Sequence, residues 1–139
     1  MVKTRQPRTR QRAGRLAIIV YDHLHVFEYA IAVELFDTLR PGLGMDWYEV
    51  ERVRAHPGRV RGQGGIEISA SADLGRLERA DTIVVPGWRE RDRPAPPSLV
   101  RALVRAHARG AQFLTICSGA YLLAWAGLLD GMRATTHWL

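Results

Sequence analysis

Residues 111–127, Ala-Gln-Phe-Leu-Thr-Ile-Cys-Ser-Gly-Ala-Tyr-Leu-Leu-Ala-Trp-Ala-Gly, pass from a strand pattern to a helix pattern with no loop between them. Phe113, Leu114 and Ile116 form an apolar run that stops at Cys117. Three small residues, Ser118, Gly119 and Ala120, then lead into an apolar helical pattern. A strand that becomes a helix at once forces the corner residue into a sharp turn and lifts its side chain above the sheet. Small neighbours are needed there so that the two elements can approach. Cys117 occupies that corner and is the chain's only cysteine. Its thiol would sit where a helix begins, beside N–H groups and a dipole that favour the thiolate. A lone cysteine is ordinarily a small buried hydrophobe; the corner makes Cys117 the candidate nucleophile.

The rest of the chain supplies the sheet that such a corner needs. Leu16–Tyr21 is a continuous apolar run, the pattern of a strand covered on both faces. From Val26 to Leu39, Phe27, Ile31, Leu35 and Leu39 recur every four residues and predict a helix, which Pro41-Gly-Leu-Gly44 ends. Trp47–Val53 alternates as a second strand, His56-Pro57-Gly58 is a turn, and Ile66–Ile68 is a short strand. Asp73 opens a short helix to about Arg79, and Thr82–Val85 is a buried strand halted by Pro86-Gly87. Arg89–Pro97 is a charged surface loop. Ser98 is expected to cap a helix reaching Ala108, with Arg101, Arg105 and Arg109 on its solvated face. Strands alternating with helices predict an α/β fold with an open, mostly parallel sheet in three layers, like a flavodoxin. Ligands of such sheets bind beyond the carboxyl ends of the strands, where Tyr21, Pro86, Gly87 and Cys117 fall.

At 139 residues the chain is one domain with a single core. Six of its 20 basic residues and none of its 14 acids lie in residues 1–15, so residues 16–139 carry 14 of each. Residues 1–15 are therefore read as a disordered, solvated basic extension, and 16–139 as the folded domain. No run of 18 apolar residues is present, so no membrane span is expected. One cysteine and no apolar leader core point to the cytoplasm. The chain stops at Thr135-Thr-His-Trp-Leu139, inside a stretch that reads as another strand, and is expected to be incomplete at that end.

A thiol nucleophile needs an ionising partner and donors for developing negative charge. Glu28, in the first turn of the first helix, projects toward the same crevice, and a carboxyl beside a thiolate is expected to keep its proton and donate it. His137 is a candidate base or orienting group. The backbone around Gly87 and Ser118 is a candidate anion hole. Metal sites are not expected: His23 and His25 are two apart, the other histidines are scattered, and one cysteine excludes sulfur-rich zinc patterns. No phosphate-cradling or dinucleotide glycine loop occurs, so no cofactor is expected.

These residues resemble the ThiJ/PfpI superfamily, whose fold is that of class-I glutamine amidotransferases. The resemblance rests on Val26-Phe-Glu28 through Phe36, Val84-Val-Pro86-Gly87-Trp88, Thr115-Ile-Cys117-Ser-Gly119, and Leu128 through Trp138, in the family's order. It implies that Cys117 is the elbow cysteine, that Glu28 hydrogen-bonds the thiol, and that His137 stands near it. Ligand contacts are then expected at Gly87, Trp88, Ser118 and Gly119. Pro86-Gly-Trp88-Arg89, His56-Pro57-Gly58 and Ala134-Thr-Thr-His137-Trp138 most resemble the amino-terminal domain of AraC-type transcription regulators. That likeness implies a sensing and dimerisation module, a homodimer, and DNA contact only through a helix-turn-helix domain missing from these residues. Where the family usually has Gly-Gly, this chain has Gly87-Trp88, and a tryptophan there narrows the crevice and argues against hydrolysis. The alternative is a cysteine-dependent enzyme like the isocyanide hydratases or glyoxalases of the same superfamily. A third reading is a redox sensor, in which Cys117 is oxidised to sulfenic or sulfinic acid.

Overall fold

The computed structural model describes residues 13–38, 42 and 47–137. Four strands, β1 (Arg15–Val20), β2 (Glu49–Arg54), β5 (Thr82–Pro86) and β6 (Gln112–Ile116), form one sheet in the order β2-β1-β5-β6. Every pairing in it is parallel, with Ile18 opposite Arg52 on one side and Val84 on the other. The expected α/β architecture, a parallel sheet flanked by helices, is what the chain adopts. In β1 five consecutive residues, Leu16–Val20, are buried. Successive strand residues point to opposite faces, so burial of all five means that both faces of the sheet are covered. Leu16, Ile18, Ile19 and Val20 each contribute roughly 1.5–3 kcal/mol on leaving water, and the smaller Ala17 less.

Two short strands, β3 (Val60–Arg61) and β4 (Glu67–Ile68), stand apart as an antiparallel hairpin. It is tied to the loop after β1: His23 N donates to Arg61 O at 2.6 Å, and Gln63 N to Leu24 O at 3.0 Å. A 3₁₀ segment, Leu74–Arg79, buries Leu77 and packs on α2 (Pro97–Ala108). Arg105 Nε donates to Glu78 Oε1 at 2.8 Å, and Arg109 donates to the Ala80 carbonyl, so these two arginines fasten α2 as well as meeting water.

Several boundaries differ from expectation. Arg15 is the first residue of β1, its N–H bonded to Asp81 Oδ2 at 2.9 Å, and so belongs to the sheet. Of the rest of the expected basic extension, residues 1–12 lie outside the described residues. α1 covers Val26–Ala32 and then widens into a π-type turn, Val33–Asp37, where Thr38 N reaches back to Val33 O. Leu39 lies outside the described residues. The residues of this helix that meet the core are Tyr29, Ala32, Val33 and Phe36, while Phe27 is 75% and Leu35 47% exposed. A strict interval of four overshoots the 3.6-residue turn and drifts across the surface; mixed intervals of three and four stay on one face. Ser98 does not cap α2; Pro96 is the cap and Pro97 the first helical residue, a position that spares an N–H which would have no partner. Residues 135–137, expected to lie inside another strand, have no regular structure, and Trp138 and Leu139 lie outside the described residues.

Candidate functional site

β6 ends at Ile116, and Cys117 turns into the left-handed region with φ of 54°. A residue with a β-carbon pays of order 1–3 kcal/mol for such a conformation, which persists only where surrounding contacts impose it. Three contacts do so. Gly87 N donates to Ile116 O at 3.0 Å, extending the β5–β6 ladder to the lip of the corner. Trp88 N donates to Ser118 Oγ at 3.0 Å, joining the end of β5 to the residue after the cysteine. Thr136 Oγ1 donates to Cys117 O at 2.6 Å, laying the 133–137 segment over the corner. A 3₁₀ turn, Cys117–Gly119, then leads into α3, Ala120–Trp125. The strand-to-helix corner thus exists at the expected residue, with a tight turn before a short helix.

Glu28 is the third residue of α1, and its side chain is only 14% exposed. The residue capping that helix is His25, whose Nδ1 lies 3.9 Å from Glu28 Oε2. Beneath them Tyr21 and Trp88 stack at a tilt, ring centroids 4.7 Å apart, and Tyr21 Oη donates to Pro86 O at 3.3 Å. Burial pushes the Tyr21 phenol well above its usual value. Tyr21 therefore stays a neutral donor. The indole N–H of Trp88, itself buried, has no acceptor among the described residues.

His25, Glu28, Trp88 and Cys117 meet in a cavity of about 460 Å³ at the carboxyl end of the sheet. Of the residues singled out from sequence, Glu28, Trp88, Cys117, Ser118 and His137 line it. Gly87 and Gly119 do not. The N–H of Gly87 is already engaged by Ile116, so it is no free donor for an anion hole. Gly119 is buried against β5. Their service is to the backbone. The wall also includes residues that sequence reading passed over: His25, Gln63, Arg89, Arg91 and Tyr121. Tyr121 lies four residues after Cys117, one helical turn on, a spacing that could have flagged it. Gln63, Arg89 and Arg91 come from loops and carry no periodic signal. Among the described residues no group of three or more His, Cys, Asp or Glu could hold a metal ion. No helix among them is long and apolar enough to cross a membrane.

Comparison with known proteins sets this geometry in a lineage. An uncharacterized protein from the cpoL 5' region of Streptomyces lividans is 32% identical over 125 residues, covering 89% of this chain and 87% of its own length. The HTH-type transcriptional regulator CdhR of Pseudomonas aeruginosa is 34% identical over 93 residues, 67% of this chain but 28% of the regulator. Isonitrile hydratase from Pseudomonas putida is 32% identical over 75 residues, 53% of this chain and 33% of that enzyme. Among solved structures, a ThiJ/PfpI family protein from Pseudomonas syringae superposes with a TM-score of 0.74 at 23% identity. That match covers 90% of this chain and 50% of the other. An AraC family transcriptional regulator from Pseudomonas putida gives a TM-score of 0.69 at 25% identity, covering 85% and 63%. The chain thus spans most of the Streptomyces relative and a third or less of the regulator and the hydratase. The profile of the DJ-1/PfpI family matches residues 14–139, from the threshold of β1 through the cavity, and the chain belongs to that family.

Proposed function

We propose that this chain is the effector-sensing and dimerisation domain of an AraC-type transcription regulator, acting in the cytoplasm as a homodimer. In this reading DNA contact falls to a separate helix-turn-helix domain, and the Cys117 cavity is the effector site. The observation that carries it is the one-sided match to CdhR: two thirds of this chain aligns with little more than a quarter of a longer DNA-binding regulator. The likeness to the Pseudomonas putida regulator structure supports the same assignment. Cys117 contacts the effector, Glu28 donates a hydrogen bond to its sulfur, and His137 orients the bound molecule. Trp88, filling the place of a smaller residue, narrows the cavity toward binding rather than hydrolysis.

A second reading, a cysteine-dependent enzyme of the isocyanide hydratase or glyoxalase type, draws on the likeness to isonitrile hydratase and on the left-handed Cys117 corner. Two measurements separate them. Under the sensor reading, the genomic frame following Leu139 encodes helix-turn-helix units, and the purified chain turns over neither methylglyoxal nor isocyanides. Turnover that disappears in Cys117→Ser would overturn the sensor reading in favour of the enzyme.

A further inference from the structure

The cavity beside Cys117 is charged unevenly. Arg89 and Arg91 stand in its wall, and among the described lining residues Glu28 is the one acid. Glu28 lies 3.9 Å from His25, and the hydrogen bond proposed above from its carboxyl to the Cys117 sulfur requires the protonated, uncharged acid. The other charged residues of the same loop, Glu90, Asp92 and Arg93, line a neighbouring hollow that Arg89 and Arg91 also border, and not this cavity. Arg91 Nε lies 3.7 Å from Asp92 Oδ2, so its charge is partly offset. Arg89 makes no ion pair among the described residues. The loop is held in place from α3, where Trp125 Nε1 donates to Arg91 O at 3.2 Å. What remains is about one uncompensated positive charge, on a planar guanidinium, in the wall of a small cavity that contains a thiol. A guanidinium pairs two N–H groups with a carboxylate, and a wall with one net positive charge matches a monoanion better than a doubly charged phosphate. The volume suits a small molecule.

We infer that the Cys117 cavity selects small monoanionic molecules, carboxylates in preference to their neutral analogues, with Arg89 as the principal contact and Arg91 as the lesser one. This rests on the reading of the Cys117 cavity as the effector site, with the thiol open to the bound molecule, and deepens it by naming the ligand class.

Alkylation of the full chain tests the inference, because the single cysteine makes the chemistry site-specific. Iodoacetate and iodoacetamide have nearly the same shape and differ in charge. With either, the Cys117 thiolate attacks the methylene carbon, an S–C bond forms, the C–I bond breaks, and iodide leaves with the electron pair. The quantity of interest is the iodoacetate-to-iodoacetamide rate ratio at Cys117, divided by the same ratio for a free cysteine derivative in the same buffer. We expect a value of roughly ten at low ionic strength, since a focused positive potential raises local anion concentration by about that much or more. It should fall severalfold in 0.5 M salt, where the Debye length drops below about 5 Å. Arg89→Gln should lower it more than Arg91→Gln does; both side chains are exposed, so neither change threatens the fold. A normalised ratio of one, or a raised ratio unmoved by Arg89→Gln, would overturn the anion inference alone. Failure of both reagents on the native chain, with modification after unfolding in urea, would instead overturn the reading that Cys117 meets the effector in this cavity, and this inference with it.

Discussion

A β-carbon placed on Gly119 would stand 2.3 Å from the carbonyl oxygen of Val85, so the turn after Cys117 rests directly on the backbone of β5. No side chain can retreat from that contact, because the opposing atom is main chain. Gly119→Ala must therefore push the turn off the strand, loosening the Ser118–Trp88 bond at 3.0 Å. We expect a loss of about 1–3 kcal/mol, read from urea denaturation. Unchanged stability would show that the turn has room that the geometry denies.

Cys117 holds a left-handed φ of 54° that glycine adopts without cost. Cys117→Gly removes the thiol and relieves that strain together. We expect the variant to be unreactive toward alkylating reagents and as stable as the parent, or up to about 1 kcal/mol more stable. A clear loss of stability would mean that the side chain packs more than it strains.

Tyr21 gives the fold a dependence on alkaline pH. Burial raises its phenol far above the ordinary value near 10, so the unfolded chain releases this proton at a lower pH than the folded one. The stabilisation is fully present below about pH 10 and is lost as the pH climbs beyond it, at up to about 1.4 kcal/mol per pH unit. Urea midpoints measured between pH 9 and 11.5 should fall less steeply in Tyr21→Phe than in the parent. Parallel slopes would contradict the assignment.

Thr136 anchors the segment that brings His137 to the cavity through one 2.6 Å bond to the Cys117 carbonyl. A bond of this kind contributes about 1 kcal/mol net, or roughly a fivefold change in how often the segment opens. Thr136→Val should speed trypsin cleavage after the exposed Arg133 by about that factor, with little effect on global stability. Equal cleavage rates would show that other contacts hold the segment.

By itself the amino-acid sequence determined the alternation of buried strands and helices, the parallel α/β class, and the corner at Cys117. Those properties live in short windows, where continuous apolar runs, glycine and proline carry their own structural meaning. Glu28 was readable for the same reason, as a first-turn residue of a recognisable helix. The tertiary structure decided the rest. Which stripe of α1 meets the core depends on what lies opposite, and Phe27 faces water although its spacing is helical. Gly87 lost its candidate role because the neighbouring strand claims its N–H, a partner 29 residues away in sequence. His25, Gln63, Arg89 and Arg91 joined the cavity through loops whose paths are set by contacts distant along the chain. Burial and charge at a site are sums over neighbours in space, and folding alone assembles those neighbours.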